Sequence, residues 1–253
     1  MINKKNLFLL EEIVKKNFAS KYKESVLGIF WSIIKPLLIM IIMTIIFSTL
    51  FHNKIDNYPV YLLSGKCIFD FFTAGTNIAM MSLKGNKNIL TKTPAPKHIF
   101  VLGGIISELI NFFITLIILI GVMIVTQSTF HLTIILTIFP IISLVMIITG
   151  IGFILSILNI YYTDIHHLWG VVTLMGVYSS AIFYPMEIIP EPFHKYMVLN
   201  PIFWIIDQFR ALGIYGVIPD IHYILNSMIL SLIILVLGII IFKTFEKRTT
   251  LNF

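Results

Sequence analysis

Apolar residues along this chain gather into long uninterrupted runs divided by short polar breaks. The runs lie at about 33–51, 59–81, 98–125, 132–158, 168–186 and 223–242, each close to or above the ~20 residues a helix needs to cross ~30 Å of hydrocarbon. The pattern predicts six membrane-spanning helices. The fourth run stays apolar almost to Tyr162, too long for an upright helix, and Pro140 is placed to break or kink it. Residues 1–31 follow another pattern. Leu7, Leu10, Val14 and Phe18 recur at helical spacing while Glu11, Glu12, Lys15 and Lys16 take the other face, which predicts an amphipathic helix on a membrane surface. A basic, topology-setting tail is the plainer alternative. Between the fifth and sixth runs, 187–222 holds two apolar pieces cut by Pro190, Pro192 and Pro201 and carrying Glu187, Glu191, Lys195, Asp207 and Arg210. Pieces of roughly ten residues cannot span, so they are predicted to lie in the interface or to dip in and return.

The predicted fold class is therefore an all-α integral membrane protein with short re-entrant helices before its last span. It divides into an amphipathic segment and lead-in (1–31), a six-span domain (32–245) and a tail (246–253). Composition agrees: 58% of residues are hydrophobic and 12% charged, with a mean hydropathy of +0.96. Soluble domains carry about 25% charged residues. The 253 residues leave no room for a soluble ATPase domain beside six spans. Lys4, Lys5, Lys15, Lys16, Lys21, Lys23 and Lys35 precede or open the first run, and Lys84, Lys87, Lys92 and Lys97 fill the loop after the second. Lys243, Lys247 and Arg248 follow the sixth. In a six-span arrangement all of these share one side, against Lys54, Lys195 and Arg210 on the other, so both termini are expected in the cytoplasm. The net charge of +6 thus reads as topology rather than nucleic-acid binding. The 82–97 loop and the 159–167 hinge fall on the cytoplasmic side, and the 187–222 elbow falls outside. No cleaved signal peptide is expected, because no small-residue cleavage site follows the first run near Ile33.

Candidate chemistry is sparse. Lys66 and Asp70, four residues apart in the second run, share a helix face; they read either as a proton or substrate relay or as a mutually compensating pair with Lys66 snorkelling. Glu108 in the third run is expected to meet a hydroxyl or a partner helix. His166 and His167 are adjacent and do not present two rings on one face to a metal. Cys67 is the lone cysteine, which excludes an internal disulfide. Ser64-Gly65-Lys66-Cys67 lacks the upstream glycine and final hydroxyl of a phosphate loop, and no GxSxG, HExxH or paired catalytic carboxylate occurs. No catalytic residue, metal or cofactor is assigned, and any ATP must be bound by another polypeptide.

Two stretches carry a resemblance. The first is Tyr22-Lys23-Glu24-Ser25-Val26-Leu27-Gly28-Ile29-Phe30-Trp31, followed by Lys35-Pro36. The second sets Tyr162-Thr163-Asp164-Ile165-His166-His167 before a span, Tyr184-Pro185 near its end, an acidic proline-rich elbow, then Asn200-Pro201 with Phe209-Arg210 nine residues on. This order resembles the permease subunits of type-2 ABC exporters, nearest those exporting polysaccharides such as O-antigen and teichoic-acid precursors. The resemblance implies a homodimer in the cell membrane with two copies of a separate ATPase subunit, which would use ATP and Mg, and a lipid-linked polysaccharide as substrate. It places an interface helix and lead-in at Tyr22, Lys23, Ser25, Leu27, Gly28, Trp31 and Pro36. It places ATPase coupling at Asn88, Ile89, Leu90, Lys92, Pro94, Pro96 and Lys97, with Asp164 and His166 of the hinge close by. It implies an outer gate elbow at Pro185, Glu187, Pro190, Asn200, Pro201, Asp207 and Arg210. It also implies a sugar path lined by aromatic rings, for which Tyr178, Phe183 and Tyr184 come first, then Phe30, Trp31, Phe69, Phe72 and Trp204. Membrane-interface belts are the plainer reading of any one ring. The chain departs from the family pattern at Lys66, where an apolar residue is usual, and at Ile68-Phe69, where Pro-Trp is common. An exporter of drugs or small lipids shares the six-span plan, and a proton-driven carrier using Lys66, Asp70 and Glu108 is the alternative from another class.

Overall fold

A computed structural model describes residues 4–23, 28–51 and 55–246. Ser25 and Leu27 of the lead-in, Lys54, and Lys247 and Arg248 of the tail lie outside the described residues. Among the described residues the chain is helical throughout, with no strand. The α-helices are α1 (Lys4–Tyr22), α2 (Trp31–Phe51), α3 (Tyr58–Gly85), α4 (Lys87–Lys92), α5 (Lys97–Val125), α6 (Ile138–Tyr161), α7 (Ile165–Ser179), α8 (Glu191–Val198), α9 (Pro201–Gly213) and α10 (Ile221–Glu246).

The molecule is assembled around α3. Its buried residues, among them Val60, Leu62, Leu63, Ser64, Ile68, Phe71, Ala79 and Leu83, occupy every side of the helix, as expected of one enclosed by its neighbours. α5 and α6 flank it, α2 packs against α3 and α5, and α7 packs against α3 and α6. α10 lies along α6. That crossing is close because Gly150 and Gly238 face each other: a Cβ on Gly150 would lie 2.5 Å from the Ile234 carbonyl oxygen. Small residues at such a point let two helices approach where no hydrophobic effect drives them together in lipid.

Among the described residues, three helical stretches are long and apolar enough to cross a membrane: Lys97–Val125, Leu132–Tyr161 and Ile221–Glu246. α2 is apolar from Trp31 to Phe47. α3 has 28 residues, about 42 Å at the helical rise, but Lys66 and Asp70 lower its mean hydropathy. Large apolar side chains point outward on α2 (Leu38, Ile42, Ile45), α7 (Val171, Met175) and α10 (Ile229, Leu232, Ile233). Such outward faces belong against lipid or another membrane helix.

The fourth run is divided beside Pro140: a 3₁₀ segment, Leu132–Thr137, carries its start, and Pro140 sits in the first turn of α6, where its missing N–H is no loss. One detail differs from the expectations. The apolar run at 168–186 is not one helix: α7 ends at Ser179, and its 15 residues cover only about 22 Å.

α1 docks on α5, with Ile13 buried and Leu10 beside it over Gly103. Leu7 of the predicted stripe is 56% exposed, whereas Phe18 is half-buried and edges onto Tyr22. The buried line is thus rotated toward Ile13, because α1 packs against protein along this face.

Candidate functional site

Three structural regions bear on function: the lysine-rich end of the bundle, the elbow opposite, and a charged cavity between them.

Long-range hydrogen bonds sort the loops into two ends. Lys16 Nζ donates to Asn86 Oδ1 at 2.9 Å, Lys84 Nζ to Thr163 Oγ1 at 3.4 Å, and Lys97 Nζ to the Glu246 carbonyl at 2.6 Å. α1, the 82–97 loop, the 159–167 hinge and the last turn of α10 therefore share one end. At the other end Asn57 caps α3 and donates to Thr126 and Ser128 beyond α5, both at 2.8 Å, while Thr133 donates to the Leu212 carbonyl at 2.6 Å.

At the first end α4 forms a short helix ahead of Pro94 and Pro96. Asn88, Ile89 and Lys92 are exposed on it, as are Pro94 just after it, Asp164 and His166 of the hinge, and Lys23 after α1. Pro96 is half-buried. Leu90 and Lys97 are buried within this chain, at 5% and 7% exposure, so they hold the loop in place and do not offer a surface.

At the opposite end the elbow is fixed by backbone groups left over where α7 stops. Residues 180–185 are not helical, and Ala181 has φ +49°. Buried carbonyls there need donors. Arg210 of α9 supplies two of them, its Nη1 donating to Ala181 O at 2.9 Å and its Nη2 to Ile182 O at 3.2 Å, and Nη2 also donates to Tyr61 O on α3 at 3.0 Å. The guanidinium lies 3.5 Å from the centre of the Tyr61 ring and is 5% exposed. Gly65 on α3 makes this possible, since a Cβ there would collide with Arg210 Nη2. Tyr58 OH donates to Phe183 O at 3.0 Å, and Tyr61 OH lies 3.0 and 2.9 Å from the Ala181 and Tyr184 carbonyls. Asn200 caps α9 through Ile202 N and reaches back to Ser179 and Ser180. Pro201 opens α9 and Pro190 precedes α8 as its exposed cap residue. Pro185, Glu187, Asp207, Arg210, Tyr61 and Tyr215 face a pocket of about 690 Å³.

The aromatic candidates scatter between surface and core. Phe30, Trp31 and Tyr178 are exposed, at 61%, 45% and 59%. Phe183 and Tyr184 are half-buried: Phe183 lies 6.3 Å from Phe47 and 6.5 Å from Tyr178, and Tyr184 OH donates to Tyr178 O. Phe69 and Phe72 are packed within the chain, Phe72 against Phe69 and Trp169. Trp204 is half-buried beside Tyr223.

The third feature is a cavity of about 730 Å³ among α2, α3, α5, α7 and the end of α1. Gly28 and Pro36 line it, as do Trp31 and Phe69. Lys66 Nζ pairs with Asp70 at 2.8 Å inside it, so the two neighbours on one face do meet. Glu108 meets α1: Lys21 Nζ lies 2.8 Å from its carboxylate, Asn111 donates to it, and Tyr22 OH donates to Asn111 at 2.8 Å. The pairing of Lys21 with Glu108 and the role of Arg210 as the elbow's pin were missed from sequence. A lone arginine in the last turn of a mostly apolar helix was the available signal for the second.

Comparison with known proteins adds the family. The ABC-2 type transporter family model matches residues 9–213. Over 242 residues the chain is 29% identical to an O-antigen export system permease protein RfbA of Klebsiella pneumoniae, covering 95% of this chain and 93% of the relative. It is 20% identical to an RfbA of Myxococcus xanthus, over 90% and 88% of the two chains. It is also 20% identical to the polysialic acid transport protein KpsM of Escherichia coli, over 94% and 93%. With the match running from α1 through the elbow pinned by Arg210, the chain belongs to the ABC-2 type transporter family of membrane proteins.

Proposed function

We propose that this chain is the membrane-spanning permease subunit of an ATP-driven exporter that moves a lipid-linked polysaccharide, of the O-antigen, teichoic-acid or capsule kind, from the cytoplasmic to the outer side of the cell membrane. The observation that carries the reading is the end-to-end similarity to O-antigen export permeases. The gathering of α1, α4 and the hinge at one lysine-rich end supports it. That end faces the cytoplasm, by the usual excess of Lys and Arg there. Asn88, Ile89, Lys92 and Asp164 are its docking surface for a separate ATPase subunit, which binds ATP and Mg. Two copies of the chain and two of the ATPase form the working assembly, since one bundle of this size encloses little of a path wide enough for a glycan chain. Closure of the ATPases moves α1 and the α4 loop, and the elbow at the far end opens.

The test is transport itself. In inside-out vesicles containing both subunits, lipid-linked polysaccharide made on the outer face of the vesicle becomes resistant to added glycosidase only when ATP is supplied. Protection driven by a proton gradient without the ATPase would instead favour the carrier reading of Lys66, Asp70 and Glu108.

A further inference from the structure

α5 carries a single carboxylate, Glu108, about 16 Å along the helix from Lys97 at the lysine-rich end. A charge so placed is costly unless it is paired and hydrogen-bonded. Its partner comes from another helix. Lys21, in the last turn of α1, holds Nζ 2.8 and 3.1 Å from the two carboxylate oxygens. Asn111, one turn further along α5, donates to Oε2 at 3.1 Å, and Tyr22 OH donates to Asn111 Oδ1 at 2.8 Å. Two successive residues of α1 thus grip a polar pair on one face of α5. The Glu108 side chain is only 9% exposed, so the carboxylate is fixed where α1 meets it.

Two further contacts tie α1 to the same end. Ile13 sits over Gly103 of α5, where a Cβ would come within 2.6 Å of it. Lys16 Nζ donates to Asn86 Oδ1 at 2.9 Å, and Asn86 caps the end of α3, bonds back to Ser82 O and precedes α4. Lys15 differs: it pairs with Glu11 and Glu12 in solvent and binds nothing beyond α1, so it contributes little. At the far end of α5, Thr126 and Ser128 accept from the Asn57 side chain, both at 2.8 Å. Asn57 caps α3, and its neighbour Tyr58 donates to the Phe183 carbonyl of the elbow. The 29 residues of α5, about 43 Å long, therefore have a charged joint to α1 on one side and hydrogen bonds toward the elbow on the other. Releasing Lys21 would leave a buried carboxylate without its counter-charge. Displacement of α1 is for that reason carried into α5 and not absorbed at the contact.

We propose that α5 is the rod that carries ATPase-driven movement of α1 to the elbow, and that Glu108 is its positioning residue, keeping α1 and α5 one body through the cycle. This rests on the ATP-driven movement proposed above, but not on the identity of the cargo. Lying between two sites does not by itself make a helix the route between them, so the test perturbs the joint and reads the far end.

The experiment uses right-side-out vesicles holding the full chain, its ATPase subunit and lipid-linked polysaccharide, with or without ATP inside. Three quantities are read: ATP turnover, glycan delivered to the outer face per ATP, and labelling of Leu199→Cys by a membrane-impermeant maleimide. Leu199 follows α8 in the elbow and is 77% exposed, whereas Cys67 is buried and adds no signal. Glu108→Gln and Lys21→Gln are each expected to keep turnover within about twofold while cutting both delivery per ATP and the ATP-dependent part of the labelling about tenfold. Lys21→Arg, which keeps the charge, retains both. The double glutamine variant should be no worse than either single, because both break one joint. A folded Glu108→Gln that delivers and labels as the parent does would overturn the proposal, as would losses that multiply in the double variant. So would a lowered unfolding temperature with turnover, delivery and labelling falling in proportion, the mark of a merely structural pair. Labelling that follows ATP through Glu108 without any delivery defeats the glycan reading alone. An elbow that ATP does not move in the parent chain defeats both.

Discussion

Without the Arg210 side chain, the Ile182 carbonyl loses its donor in a place with little access to water, and the Tyr61 and Ala181 carbonyls each lose one donor but keep another. An orphaned buried carbonyl costs about 1–3 kcal/mol, so Arg210→Met is expected to destabilise the protein by about that much. Gly65→Ala forces the guanidinium away from the same helix and costs about 1–3 kcal/mol. Because both changes act on one contact, the double variant should fall short of the sum of the singles. Thermal unfolding in detergent reads all three, and strict additivity would show that Gly65 and Arg210 act separately. The sequence makes Arg210 visible as a charge among Phe209, Ala211 and Leu212, but not what it holds, because its acceptors lie 28 to 149 residues away. Lys21 and Glu108 are likewise 87 residues apart, and local spacing carries no trace of such a pair.

Helices that are long and uniformly apolar were legible from hydropathy alone: α5, α6 and α10 match their predicted runs to within a few residues at most boundaries. The two pieces of the elbow were also legible, since Pro190 and Pro201 mark where α8 and α9 begin. The end of α7 was not. Ile182, Phe183 and Tyr184 are as apolar as the helix before them, and hydropathy does not register that Tyr58, Tyr61 and Arg210 wait to bond their carbonyls. Helix contacts made through glycine are equally silent in a hydropathy profile. Gly238→Val is expected to push α10 from α6 and cost about 1–3 kcal/mol, whereas Gly121→Val on α5, with nothing within 4 Å, should change stability little. Similar losses from both would remove the close crossing from the account. In α4 the structure also changes which residue is informative: Leu90 is buried, so a charge there damages this chain's own packing, while Ile89, 42% exposed, probes the surface.

For the whole molecule, Lys16, Lys84 and Lys97, three of the lysines that the sequence assigns to one side, find their partners at one end of the bundle. The outward apolar faces of α2 and α7 leave room for lipid or for a second copy of the chain. The central claim is that this membrane protein is driven by a separate ATPase through the α4 end. Its most direct test is ATPase turnover in reconstituted membranes, with the partner ATPase subunit measured alone, with the chain, and with its Ile89→Glu variant. The account predicts that the chain changes turnover several-fold and that Ile89→Glu, still folded and inserted, abolishes the change. Turnover unaffected by the intact chain would contradict it.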